Sequence, residues 1–397
     1  MTINSIYPAV RKNFYARIEY FGLKCDKFQN FFVSLHRRDK IGAMNSISIS
    51  GYKSFKAVEL KLNPINILIG ANGSGKSNFL SFFEMLHCIY EKRLTEYVAL
   101  NGGTERFFHK GLKVTDMIKA TIAFQENSYE LELKEGDGRL VFAHESLGYK
   151  EGLLMVNLSS ASYKPESDML NNSLYGQDEN INAYLKSISE YHFHDTGKQS
   201  PFTRESNVKS DIFTLYEDGR NLAAFLYGIQ AEYPLTYKRI IKVIQSIAPY
   251  FLDFYLVPNS NDQVRLLWKD KFSDTIYTPS ALSDGTLRFI ALTTLFLQPN
   301  PAKVIVIDEP ELGLHPQAIG KLTGLIKSVS QRGVQVIVAT QSADLISAFT
   351  PEDVITVNQV NGETHFERLD SDKLSRWLEE YTLGDLWKSN IIQGGQP

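Results

Sequence analysis

From Ser46 the chain alternates polar and apolar residues, Ser46-Ile47-Ser48-Ile49-Ser50, and after a short turn resumes at Val58-Glu59-Leu60-Lys61-Leu62. A period of two predicts strands. Ile65-Asn66-Ile67-Leu68-Ile69 reads as a buried strand ending at Gly70, and residues 78–98 read as a helix. Phe79, Phe82, Phe83, Leu86 and Ile89–Tyr90 would form its apolar stripe. Met117–Gln125 and Tyr129–Lys134 fit a strand hairpin. Residues 145–250 change character: Ser, Asn, Asp and Gly loops are broken by helical patterns at Ile181–Ser189, Asn221–Glu232 and Leu235–Ala248. Residues 251–269 return to strands. After Thr286 the order is helix, strand (Val304–Ile307), helix (Pro316–Ser330), strand (Val334–Ala339) and helix. This alternation predicts an α/β fold with a mostly parallel sheet. A final helix, Ser371–Lys388, would align Leu374, Trp377, Leu378, Tyr381 and Trp387, with Asp370 or Ser371 as its cap. Such a stripe packs on its own domain or docks a partner.

Composition narrows the class. The chain has 397 residues, 43% hydrophobic and 22% charged, with net charge −3, so disorder is not its main state. Its longest apolar stretch, Phe289–Leu297, contains Thr293 and Thr294 and falls well short of the ~20 residues of a bilayer span. The only cysteines, Cys25 and Cys88, form neither a disulfide framework nor a zinc site, which points to a reducing, cytoplasmic setting. Charge is uneven: residues 1–43 carry Arg11, Lys12, Arg17, Lys24, Lys27, Arg37, Arg38 and Lys40 against Glu19, Asp26 and Asp39. This basic extension reads as a nucleic-acid arm, as a loosely attached segment, or as sequence ahead of a true start at Met44.

Three local patterns carry chemistry. Gly70-Ala71-Asn72-Gly73-Ser74-Gly75-Lys76-Ser77 matches the P-loop in full, between a predicted strand and a predicted helix. Its glycines let backbone N–H groups turn inward on phosphate oxygens, Lys76 adds a point charge, and Ser77 offers a hydroxyl to Mg²⁺. Val304-Ile305-Val306-Ile307-Asp308-Glu309 ends a buried strand in two carboxylates. Asp308 is the expected Mg²⁺ ligand, and Glu309 the general base for an attacking water. Leu282-Ser283-Asp284-Gly285-Thr286 opens a helix and reads as a second phosphate site or as an ordinary N-cap.

Taken in order, GANGSGKS, LSDGT, VIVIDEPELGLHP and ATQS resemble the ABC-type ATPases of the SMC/RecF-like branch, especially its stand-alone bacterial ATPases. YHFHDT (Tyr191–Thr196) and DGRNLAAFL (Asp218–Leu226) extend the resemblance over residues 44–397. It implies an ABC/SMC-type P-loop ATPase head: an α/β fold with a mixed sheet in two lobes and a helical insertion between P-loop and signature. The expected divisions are 44–145 for lobe I with the P-loop, 146–250 for the insertion, and 251–397 for lobe II with signature, acidic strand and C-terminal helix. The resemblance implies ATP and Mg²⁺ as cofactors and an ATP-dependent homodimer, in which Ser283 and Gly285 touch the γ-phosphate on a partner molecule. Glu311–Pro316 would line the dimer seam, and Lys53 would approach the nucleotide. Two positions depart from the family pattern. Gln341 stands where a switch histidine is usual, able to hydrogen-bond a γ-phosphate without carrying charge, and the glutamine loop has only Gln125 as a candidate.

The function expected from this resemblance is an ATPase that drives or gates a partner in phage defence or DNA metabolism. Alternatives are a nucleotide-gated switch or SMC-like repair protein with little turnover and, less in keeping with the long gap between Ser77 and Leu282, a transporter subunit. Larger relatives of the overcoming-lysogenisation-defect type carry a nuclease after the last ATPase strand. Here only residues 340–397 follow Ala339, so a nuclease or Toprim-like effector is expected on a separate chain. Nucleic acid binding stays open and no membrane contact is expected. His192 and His194 would share one face of a strand; metal ligation with Asp195 competes there with a structural role.

Overall fold

The alternation after Ser46 folds as a hairpin. Strand β1 (Ser46–Tyr52) pairs antiparallel with β2 (Phe55–Lys61), Ile49 facing Val58. The computed structural model describes residues 44–149, 154–158, 163–169 and 178–392, so every reading of residues 1–43 lies outside them. β3 (Ile65–Ile69) is buried at all five positions. Helix α1 (Lys76–Tyr90) follows and buries Phe79, Phe82, Phe83, Leu86 and Ile89, each side chain worth ~1.5–3 kcal/mol once removed from water. The helix expected over 78–98 divides, because Lys92 takes a left-handed conformation (φ 58°), and α2 (Leu94–Leu100) starts anew.

β4 (Met117–Phe124), β5 (Asn127–Gly136), β6 (Arg139–Tyr149) and β7 (Leu154–Asn157) form an antiparallel meander, giving a sheet of order β2-β1-β4-β5-β6-β7. β6 was not expected, and it runs across residue 145. Its turn is Asp137-Gly138, both at positive φ, which is the signature of a two-residue hairpin. The helical pattern at Ile181–Ser189 is corrected too. α3 (Asp178–Lys186) ends early and β8 (Ile188–Tyr191) follows. Four residues are enough there because the strand lies parallel to a buried neighbour.

The chain continues through β9 (Ser206–Asn207), α4 (Leu222–Glu232), α5 (Pro234–Gln245), β10 (Phe251–Phe254), β11 (Gln263–Val264), β12 (Trp268–Asp270) and β13 (Ile276–Tyr277). Then come α6 (Asp284–Leu297), β14 (Val304–Asp308), α7 (Pro316–Gln331), β15 (Gln335–Thr340) and α8 (Ala343–Ile346). β16 (Val354–Val360) and β17 (Glu363–Arg368) form a hairpin the periodicity reading missed. The last expected helix is two: α9 (Ser371–Leu378) and α10 (Leu383–Lys388), separated where Thr382 and Asp385 build a capping box. Leu383 and Leu386 are buried, whereas Trp377 and Tyr381 remain half exposed.

The second sheet has the order β17-β16-β3-β15-β14-β8. All its neighbours are parallel except the β16–β17 pair. Ile65, Ile67, Ile305, Ile307, Val336 and Val338 join α6 and α7 in one core, and α1 packs against β8, β14 and β15. Register places the site. Thr340 lies opposite Ile69 and Ala339 opposite Asp308, so three parallel strands end in a row.

Candidate nucleotide site

β3 delivers the chain to Gly70, where any Cβ would lie 2.3 Å from the Val357 carbonyl; glycine alone fits. The loop then curls through Gly73 and Gly75, both at positive φ (78° and 112°). Gly75 is the N-cap of α1 and supplies no side-chain cap, which leaves first-turn N–H groups free for an anion. Lys76 is 6% exposed, and its Nζ donates to the carbonyls of Gly70 (2.7 Å) and Ala71 (3.0 Å). Burial pulls its pKa down, opposed by the charges of Asp308 and Glu309. An arriving phosphate would exchange two carbonyl partners for anionic oxygens, a stronger pairing.

Asp308 ends β14. Burial raises its pKa, and the neighbouring Glu309 charge raises it further. Glu309 sits in the left-handed region (φ 39°), a strained conformation for a non-glycine residue, and its N–H donates to the Ala339 carbonyl at 2.8 Å. Its Oε1 accepts from Gln341 Nε2 at 2.5 Å, and the same amide reaches Asn72 Oδ1 at 2.8 Å. Glu311 turns away into the protein, buried, with Oε1 accepting from Thr340 Oγ1 at 2.5 Å. A cavity of about 140 Å³ is lined by Asn72, Gly73, Gly75, Lys76, Ser77, Asn78, Asp308, Glu309 and Gln341. Its donors and carboxylates suit a polyphosphate with Mg²⁺: helix N–H groups and Lys76 for the phosphates, the exposed Ser77 hydroxyl and Asp308 for the cation. Gly70, Ala71 and Ser74 form the loop behind the cavity and do not line it.

Ser283 and Gly285 lie elsewhere. Ser283 Oγ caps α6 by accepting from the Thr286 N–H at 3.2 Å, and a Cβ on Gly285 would lie 2.3 Å from the Gly313 carbonyl. Neither lines the cavity of their own chain. Buried Arg288, which the sequence reading missed, ties α6 to the segments after β8 and after β14. It donates to the carbonyls of Phe193 and His194 at 2.9 Å and to that of Leu312.

Other expected residues fall differently. Lys53 Nζ donates to Ser81 Oγ at 2.7 Å and sits over the Tyr52 and Phe107 rings, outside the lining of the cavity. Gln125 follows β4 at the Asn45 end, its N–H donating to Asn45 Oδ1. It gathers there with Asn63 and Pro64, ahead of β3, whereas the cavity lies beyond the other end of β3, so Gln125 does not line it. β8 ends at Tyr191, so His192 and His194 lie beyond the strand, with ring centroids 6.4 Å apart. Among the described residues no group of three or more His, Cys, Asp or Glu could hold a metal ion. His192 Nε2 is 3.5 Å from Glu190 Oε1. Glu190, on β8, is buried, and its Oε2 has no hydrogen-bond partner. Burial, then the charges of Glu84, Asp308 and Glu217, push its carboxyl up to about 8, against the opposing pull of Lys53.

The family model described as "AAA domain, putative AbiEii toxin, Type IV TA system" matches residues 65–347. An SMC head solved with the C-winged helix domain of ScpA superposes with TM-score 0.58 at 17% identity, covering 84% of this chain and 99% of that one. An SMC head domain solved with the ScpA C-terminal domain derived from Pyrococcus furiosus gives 0.51 at 14% identity, covering 85% and 98%. These likenesses show the fold: a two-lobed α/β head of ABC/SMC type with mixed sheets and helical insertions. The Old nuclease of Escherichia phage P2 is 23% identical over 382 residues, 83% of this chain and 61% of its own length. An energy-coupling factor transporter ATP-binding protein of Methanocaldococcus jannaschii is 33% identical over 72 residues, 18% of this chain and 25% of its own. The chain thus spans about three fifths of the phage relative and a quarter of the transporter subunit. No helix among the described residues is long and apolar enough to cross a membrane.

Proposed function

We propose that this chain, which belongs to the AAA domain family matched over residues 65–347, is a Mg²⁺-dependent ATPase that closes into an ATP-bridged homodimer. Family and fold support ATP binding and hydrolysis as the general function. The observation that carries the finer reading is the convergence of Lys76, Asp308, Glu309 and Gln341 on one small polar cavity at a free helix N-terminus.

In this reading the loop N–H groups and Lys76 bind the phosphates. Ser77 and Asp308 hold Mg²⁺, which neutralises phosphate charge. Glu309 accepts the proton of the attacking water, and Gln341 orients that carboxylate through its amide. Ser283 and Gly285, outside the cavity of their own chain, act on the nucleotide of a second copy; a twofold axis satisfies both sites at once. The dimer would gate a nuclease or Toprim-like effector in phage defence or DNA metabolism, a role supported by the likeness to the Old nuclease. The Gln341–Glu309 bond also favours a second reading, a nucleotide-held switch whose base is kept engaged and turns over slowly.

Steady-state phosphate release from Mg²⁺–ATP by the purified chain, beside binding measured by calorimetry, tests the assignment. Binding with turnover supports the ATPase; binding with negligible turnover selects the switch. Failure to bind would end both.

A further inference from the structure

Gly75 must be glycine for two reasons. Its φ is 112°, and a Cβ there would lie 2.2 Å from Thr364 Oγ1. Thr364 belongs to β17, beyond the residues matched by the family model, yet it is the side chain pressed against the phosphate loop. It is 3% exposed. Its Oγ1 is 2.9 Å from the Ser74 carbonyl oxygen and 2.8 Å from Ser54 Oγ, and Asn78 Nδ2 donates to Ser54 Oγ at 2.8 Å.

The direction of this chain of bonds follows from proton count. A carbonyl only accepts and Thr364 has one hydroxyl proton, so that proton goes to Ser74. The Ser54 hydroxyl then donates to Thr364, and Asn78 donates to Ser54. Three separate segments are joined: the β1–β2 turn, the first turn of α1, and β17. One end reaches the phosphate loop at the Ser74 carbonyl, and the other is Asn78, which lines the cavity.

We infer that Thr364 is a positioning residue for nucleotide binding, its hydroxyl holding the Ser74–Gly75 segment in the curl that aims N–H groups at phosphate. The inference rests on the nucleotide reading of the site. β17 is secured independently of this hydroxyl: Glu363 pairs with Lys110 at 3.1 Å, the Thr364 N–H donates to the Ser54 carbonyl, and Arg368 donates to the Lys61 carbonyl and Asn66 Oδ1. Removing the hydroxyl therefore loosens the loop and leaves the strand in place.

The test measures Mg²⁺–ATP affinity by calorimetry and steady-state hydrolysis on the full chain. Thr364→Val keeps the volume and removes the hydroxyl. It should weaken binding and raise KM by about tenfold, the value of one hydrogen bond, with kcat changed less than about threefold. Thr364→Ser should restore wild-type affinity. Ser54→Ala leaves the Thr364–Ser74 bond in place and should cost less than Thr364→Val, and the double variant Thr364→Val/Ser54→Ala should bind no more weakly than the worse single. Wild-type affinity in Thr364→Val, failure of Thr364→Ser to rescue, or multiplied losses in the double variant would overturn the inference. If Thr364→Val does not fold, Thr364→Ala decides alone, normal affinity overturning the inference. Lys76→Ala separates the two levels. Its loss of binding beside normal Thr364→Val binding removes only the Thr364 role, whereas unchanged binding in Lys76→Ala removes the nucleotide reading and the inference with it.

Discussion

Gln341 Nε2 lies 2.5 Å from Glu309 Oε1 and 2.8 Å from Asn72 Oδ1, so one neutral amide joins the ends of β14 and β15 to the phosphate loop. The bond orients the proposed base. Gln341→Ala should lower kcat by roughly tenfold to a hundredfold, the cost of losing a hydrogen bond to a charged group. KM for ATP should stay within about threefold. A variant with unchanged kcat in phosphate-release assays would show that Glu309 needs no such partner.

Lys76 and Glu309 should separate binding from chemistry. Lys76→Ala is expected to lose Mg²⁺–ATP binding by calorimetry, because it removes the buried cation of the cavity. Glu309→Gln should bind ATP and turn over at least about tenfold more slowly. Normal turnover in Glu309→Gln would move the base elsewhere. Glu311 is a poor substitute, since it faces Thr340 away from the cavity.

Ser283 tests the homodimer. In light scattering after size exclusion, Glu309→Gln protein should be dimeric with ATP and Mg²⁺ and shift toward monomer with ADP. Ser283→Arg added to it should abolish that dimer while nucleotide binding persists, because Ser283 does not line the cavity of its own chain. A dimer indifferent to both changes would remove the bridging role of Ser283.

Glu190 predicts a pH dependence. Its folded-state pKa, about 8, exceeds its ordinary value of 4.5, so the folded protein holds a proton there that the unfolded chain has released. Stability from this site is full below about 4.5, declines as pH rises, and levels off above about 8. Glu190→Gln should therefore be increasingly stabilised relative to wild type between pH 5 and pH 8, reaching on the order of a few kcal/mol. Denaturant unfolding of both proteins without nucleotide or Mg²⁺ checks this. A difference independent of pH would place the Glu190 carboxyl in an ordinary environment.

Much of the site was legible because its parts are local. A P-loop is a strand end, glycines at fixed spacing and a helix start, all within a dozen residues. The acidic end of β14 and the cap at Ser283 are equally short-range. Some missed elements also carried local signals. Asn361-Gly362, both at positive φ, is a hairpin turn of the kind that predicts β16 and β17, and Asp137-Gly138 does the same for β5 and β6. β8 carried none, because four residues directly after a helix have no period to read.

The sequence alone therefore determined the chemistry available at residues 70–77, 283–286 and 308–309, since those backbone shapes depend on residues within one or two turns. Tertiary structure decided what each group touches. Parallel register brings Asp308, Ala339, Thr340 and Ile69 side by side, which sets Gln341 between Glu309 and Asn72. The same packing takes Gln125 to the far end of β1, turns Lys53 toward Ser81, and carries Thr364 across 290 residues of sequence to Ser74. Sheet order and register arise from burial summed over many strands, and that sum is written in no single window of residues.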